Sequence, residues 1–211
     1  MKNFKKYLII VFLLIIYILV YSISYANSTL SNLSNNLFRL HVIANSDSDS
    51  DQALKFKVRD SLISYMNSLC TNISSKKEAI NIANEHINDF YSIAKNTIKE
   101  NGYNYNVNIS IGNYPFPTKY YGDISLPAGY YDALKVEIGQ AKGKNWWCVM
   151  FPSLCFVDMS NGIVPEESKI DLQNTLSAEE YNLISSNDSE YKFKFKIVEL
   201  LENAKILTAK K

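Results

Sequence analysis

The residues best placed to do chemistry are three carboxylates at alternate positions, Asp47, Asp49 and Asp51, in the run from Asn45 to Asp51. Alternate carboxylates can converge on a hard cation, and a calcium-binding loop opens in this way. The remainder of such a loop is missing, since Gln52 stands where its sharp turn needs glycine and Val58 where its closing bidentate glutamate belongs. Short polar side chains of this kind bond to neighbouring backbone and cap helices, so the run reads as a solvated turn. Two histidines, His41 and His86, and three cysteines with no close pair, Cys70, Cys148 and Cys155, give no zinc spacing, so no metal and no cofactor is expected. There is no Gly-x-Ser-x-Gly elbow, no glycine-rich phosphate loop and no His-Glu-x-x-His, and no catalytic residue is assigned. A cysteine and a histidine can still meet in the fold, which keeps a secreted hydrolase with a Cys/His site as the alternative to a non-catalytic protein.

The elements that hold these residues are marked by a change of hydrophobic period. Phe38, Leu40 and Val42 alternate with Arg39 and His41, which predicts a strand over Leu37 to Ala44. Leu54, Val58, Leu62, Tyr65 and Leu69 then follow at spacings of three and four, the stripe of an amphipathic helix. Ser48 and Asp51 resemble a capping box, placing the helix start near Asp49. Ser75 with Glu78 predicts a second helix, continuous from there to Asn101-Gly102. Tyr103 to Ile111 alternates strictly and predicts a strand that Pro115 and Pro117 end. A short strand is expected around Tyr120 to Leu126, and a hairpin from Ala133–Ile138 and Trp146–Val157 about the turn 139–145. A strand running into a helix is expected between Tyr191 and Ala204, and nothing is assigned to Lys169–Glu190. Hairpin-like pieces cluster after residue 103, which points to an α+β fold, a single domain with helices packed on one face of a largely antiparallel sheet.

Lys2, Lys5 and Lys6 precede an apolar run from Tyr7 to Tyr21 and the small-residue stretch Ser24-Tyr-Ala26, the pattern of a secretory signal peptide over 1–26, or of an uncleaved N-terminal membrane anchor. The three lysines place the start in the cytoplasm and the rest across the membrane. Residues 27–36, polar and rich in Asn and Ser, read as a tether, and 37–211 as the working domain. Without the first 26 residues there are 19 bases against 21 acids, a net charge of −2, so nucleic acid is not an expected partner.

Both tryptophans and two cysteines fall within Asn145–Phe156. Adjacent strand residues point to opposite faces, so a strand that buries one of Trp146 and Trp147 turns the other outward unless its second face is covered too. Cys148 and Cys155 would lie about 23 Å apart on a straight strand, and a disulfide between them requires the chain to reverse at Phe151-Pro152, as a cis proline would allow. Two reduced, buried cysteines are the expectation, because a third, odd thiol argues against a planned framework.

Two blocks, LFRLHVIANSDSDSDQALKFKVRD (37–60) and LPAGYYDALKVEIGQAKGKNWWCVMFPSLCFVD (126–158), closely resemble the stage II sporulation protein R family of endospore-forming Firmicutes. The order of the blocks, the signal sequence and the length fit as well. Family members often carry Pro-Glu where Asp49-Ser50 stands, a departure that bears only on the helix start. The resemblance implies a sporulation signal rather than a catalyst. Such proteins are made in the forespore, secreted into the space between the forespore and mother-cell membranes, and trigger a membrane-embedded aspartic protease that cleaves the pro-sequence of sigma factor E. Expected contact residues are Arg39, His41, Asn45, Ser46 and Asp47 from the strand and turn, Lys55 and Arg59 from the helix that follows, and Trp146 and Trp147. A mixed polar face of this sort is also what any solvated edge presents.

Overall fold

The computed structural model describes residues 2–70, 73–154 and 164–185. Helix α1 (Lys2–Asn36) carries an apolar stretch, Phe4–Tyr21, of mean hydropathy 2.2 and with none of its surface buried, compatible with a signal peptide and with secretion. The polar residues 27–36 do not stand off as a tether. α1 continues through them, Leu33 is fully buried, the Ser34 carbonyl accepts Lys76 Nζ at 2.7 Å, and Asn36 Nδ2 reaches Glu180 at 3.5 Å. Leu33 and Leu37 lie four residues apart and enter the same core, a helical spacing that corrects the tether reading.

Strand β1 (Phe38–Ile43) is followed by α2 (Asp49–Leu69), with Ser48 as N-cap accepting the Asp51 amide at 3.3 Å. The next helix begins after Ser75, whose hydroxyl takes the Glu78 amide at 3.3 Å, but it is not continuous. His86 separates α3 (Lys76–Glu85) from α4 (Ile87–Glu100), and its ring nitrogen Nδ1 lies 2.8 Å from Asp89 and 3.0 Å from the Tyr65 hydroxyl of α2. The side-chain bonds at this break pin the start of α4 against α2.

The remaining strands are β2 (Val107–Phe116), β3 (Lys119–Tyr121), β4 (Ile124–Leu126), β5 (Gly129–Ile138) and β6 (Asn145–Phe151). β3 and β4 form a separate two-stranded ribbon, and the main sheet has the order β2-β5-β1-β6. It is mostly antiparallel, with β1 and β5 parallel, so the fold is α+β as expected. β2 runs on through Pro115 because it is an edge strand, where a missing N–H costs no ladder bond. The expected hairpin of β5 and β6 is not formed. Their connection crosses the end of β1, with Gly143 N donating to Ala44 O at 2.9 Å and Lys142 N to Asn45 O at 3.2 Å, and this sets β6 down on the far side of β1.

One face of the sheet, with Leu40, Val42, Leu134, Val136 and Cys148, packs on Leu54, Val58 and Leu62 of α2 and on Phe90, Ala94 and Ile98 of α4. Two further helices, α5 (Glu166–Thr175) and α6 (Ala178–Ser185), occupy the stretch to which no element was assigned. The missed signal of α6 is Ser177 with Glu180, a reciprocal capping box in which Ser177 Oγ accepts the Glu180 amide and Glu180 accepts the Ser177 amide. The strand and helix expected between Tyr191 and Ala204 lie outside the described residues.

Candidate functional site

Residues 45–48 and the 139–144 connection, from the two separate blocks, lock together at the end of β1. Asn45 Oδ1 accepts the Gln140 amide at 2.9 Å and Asp47 Oδ1 the Lys144 amide at 2.6 Å. From within, Asp51 Oδ2 takes Asn45 Nδ2 at 2.8 Å and Ser46 Oγ at 2.5 Å. Burial pushes the Asp51 carboxyl pKa up, but hydrogen bonds from Ser46, Asn45, Tyr105 and Ser48 outweigh it and hold it below the ordinary value. Asp51 is thus a fastener for the turn. Asp47 is also spoken for, bonded to backbone, and among the described residues no group of three or more His, Cys, Asp or Glu is arranged to hold a metal.

Lys55 was expected on the surface and is buried. Its ammonium bridges the first turn of α2 and the 139–144 connection, 2.6 Å from Gln52 Oε1 and 3.1 Å from Lys144 O, because that connection closes over the start of the helix. Arg59 lies beside it at the rim. Its guanidinium stacks 4.4 Å over Trp146 and 4.8 Å over Phe56 while pairing with Asp60 at 2.6 Å. Trp146 meets Phe56 edge-on at 5.3 Å, and Lys55, bonded to Lys144 O, lies close to the charges of both Arg59 and Asp47, so Asn45, Ser46, Asp47, Arg59 and Trp146 border one rim around the loop pair.

The other candidates point through the opposite sheet face. Arg39 was expected at the surface and has no exposed area. It lies under the β3–β4 ribbon, 4.1 Å over Phe116 and 4.8 Å over Tyr131, with Nη2 donating to the Tyr121 hydroxyl at 2.8 Å. Alternation identified its face correctly, but no local pattern announces that a distant ribbon covers that face. His41, expected on a wet face, is half-buried among its neighbours on the sheet, stacked on Trp147 at 5.4 Å, edge-on to Phe116 at 5.8 Å and bonded through Nε2 to Asn145 Oδ1 at 2.8 Å. Both tryptophans are half-buried on opposite faces, so each indole is partly covered and partly accessible.

Burial lowers the His41 pKa below its ordinary value. The unfolded chain therefore takes up a proton that the folded protein resists, and stability is lost as pH falls through and below about 6.5. Thermal melts between pH 7.5 and 5 should show this loss, and His41→Gln should flatten the slope; an unchanged slope would remove His41 as its source.

Cysteine chemistry is constrained. Burial, with the Glu78 charge, pushes the Cys70 thiol up to about 11, leaving little thiolate at neutral pH for nucleophilic attack. Cys148 is disulfide-bonded, which corrects the expectation of a reduced thiol there, and the Phe151–Pro152 bond is cis. Cys155 lies outside the described residues. The sequence reading also missed Phe56 and Lys144 on the rim and Lys119, whose ammonium sits 4.2 Å over Trp147. Gly139 and Gly143, bracketing residues 140–142, were the available hint that the second loop makes a close approach.

Fold and site together define an α+β protein with an N-terminal apolar helix, whose two distinctive blocks build one polar and aromatic rim. The chain belongs to the stage II sporulation protein R family, whose model matches residues 34–161. It is 38% identical over 137 residues to stage II sporulation protein R of Bacillus subtilis (strain 168), a match covering 65% of this chain and 61% of that relative. No solved structure matches it significantly.

Proposed function

We propose that this chain is a secreted intercellular signal of endospore formation. Made in the forespore, it acts in the space between the forespore and mother-cell membranes and activates the membrane-embedded aspartic protease that processes pro-sigma E. Family membership and an N-terminal helix compatible with export support this reading. The observation that carries it is the meeting of the two blocks, 37–60 and 126–158, in one rim, since a ligand needs a contiguous patch with a few anchors.

Asn45, Ser46, Asp47, Arg59 and Trp146 are the direct contacts in this proposal. Lys55 and Arg39 act from beneath by holding the loops and the sheet. Arg59→Ala and Trp146→Ala should each weaken activation by roughly 1–3 kcal/mol, about a 5- to 150-fold increase in the dose required. The measurement is dose dependence of pro-sigma E cleavage on co-expression with the protease in a non-sporulating host, with circular dichroism as folding control. Folded variants of both residues that signal at the wild-type dose would remove this rim from the contact surface.

A further inference from the structure

The main sheet ends on one side at β2, and that edge is long, regular and uncharged. β2 pairs with β5 over its whole length, Val107 to Phe116, without a bulge. Gly139 N donates to Asn106 O at 2.8 Å and so continues the ladder, which turns the backbone groups of the even-numbered residues toward β5. Pro115, whose nitrogen can donate nothing, falls on the other parity. The N–H groups of Val107, Ile109, Ile111 and Asn113, with the carbonyls of these residues and of Pro115, therefore point away from the sheet, and no described residue bonds them. Native proteins blunt such edges with charges, bulges, short strands or a covering segment. Residues 107–114 carry no charge and no proline.

The side chains along the edge are apolar as well. Ile109 and Ile111 lie opposite Val136 and Leu134, on the face that packs against the helices, yet both are only half-buried. Lys95 Nζ donates to Tyr105 O at 2.9 Å, so that side of α4 overhangs the start of β2. Tyr91, one turn earlier on the same side, is 46% exposed.

We propose that β2 is the interface of a homodimer, pairing antiparallel with β2 of a second copy about a two-fold axis at Ile111. In that register Ile111 faces its own copy, Ile109 faces Asn113, and the Val107 N–H meets the Pro115 carbonyl. Every outward donor is then bonded, and the donor that Pro115 lacks costs each copy a single bond. An edge without charge offers nothing by which to select a charged segment of another protein, and it meets its own copy without like-charge repulsion. The axis keeps the helical layers of both copies on one side, where the half-exposed isoleucines and Tyr91 come together. The inference does not depend on what the rim touches.

The test is sedimentation equilibrium of the full chain in density-matched zwitterionic micelles, with amide hydrogen exchange on the same sample. The wild type should sediment as a dimer with its Ile109 and Ile111 amides protected. Ile111→Lys and Ile111→Asp each set like charges against each other across the axis and should weaken the dimer by roughly tenfold or more, while speeding exchange at Ile109. An equimolar mixture of the two variants should dimerise again. Both variants keep α1, so association through its apolar stretch would survive the substitutions and is told apart. A wild-type monomer would overturn the proposal, whether its Ile109 amide exchanges freely or is protected by another segment of this chain. So would a dimer whose dissociation is unchanged in an Ile111→Lys protein that circular dichroism shows to be folded.

Discussion

Gly143→Ala should destabilise the domain by about 3 kcal/mol, roughly 6–12 °C in Tm for a domain of this size, and reduce signalling with it. Gly143 is buried where the crossing connection passes the end of β1. A Cβ there would fall onto the Ser46 carbonyl, 2.5 Å from its carbon and 2.9 Å from Ala44 Cβ. The obstructing atoms are largely backbone, fixed by the Gly143–Ala44 hydrogen bond and by Asp47 on the Lys144 amide, so relief means pulling the two loops apart. Gly112→Ala is the matched control, because its Cβ would meet only the end of the Tyr114 side chain, at 3.2 Å. A Gly143→Ala protein melting with wild type would refute the loop interlock.

Deleting residues 1–26 should abolish signalling while folded protein accumulates in the cytoplasm. The deletion removes the apolar stretch Phe4–Tyr21 but keeps Leu33 and the contacts of Ser34 and Asn36 with α3 and α6. Deleting residues 1–36 is a different experiment. It takes a fully buried leucine from the core, a loss of roughly 2–5 kcal/mol when truncated to alanine, and should yield an unstable product. Circular dichroism of both truncations, with pro-sigma E cleavage as readout, separates loss of export from loss of fold. Full sigma activation by the 27–211 form would contradict an extracytoplasmic site of action.

Local signals in the sequence proved reliable where the chain interacts with itself nearby. The change of period between Phe38 and Leu54, and the caps at Ser48 and Ser75, mark elements whose stabilising contacts lie within a few residues. Failures came where distant segments decide. β5 and β6 are close in sequence and read as a hairpin, but β1, nearly a hundred residues earlier, inserts between them. Arg39 and Lys55 occupy positions that alternation and helical spacing assign to polar faces. The β3–β4 ribbon covers one and the 139–144 connection the other, and neither cover is written near the residue it buries. The rim itself was half legible: both blocks were singled out, but their meeting depends on that same crossover. Trp146 joins Arg59 there, whereas Trp147 serves the other face with His41.

In the proposed function the rim around the loop pair touches the protease, and site-specific photo-crosslinking tests this most directly. A benzophenone-bearing residue in place of exposed Lys144, at the rim, should trap the protease when the two are co-expressed. The same residue in place of Tyr91, exposed on α4 one residue from Phe90 where α4 meets Tyr65 late in α2, should not. Capture from Tyr91 but not from Lys144, with both proteins folded and exported, would contradict the account.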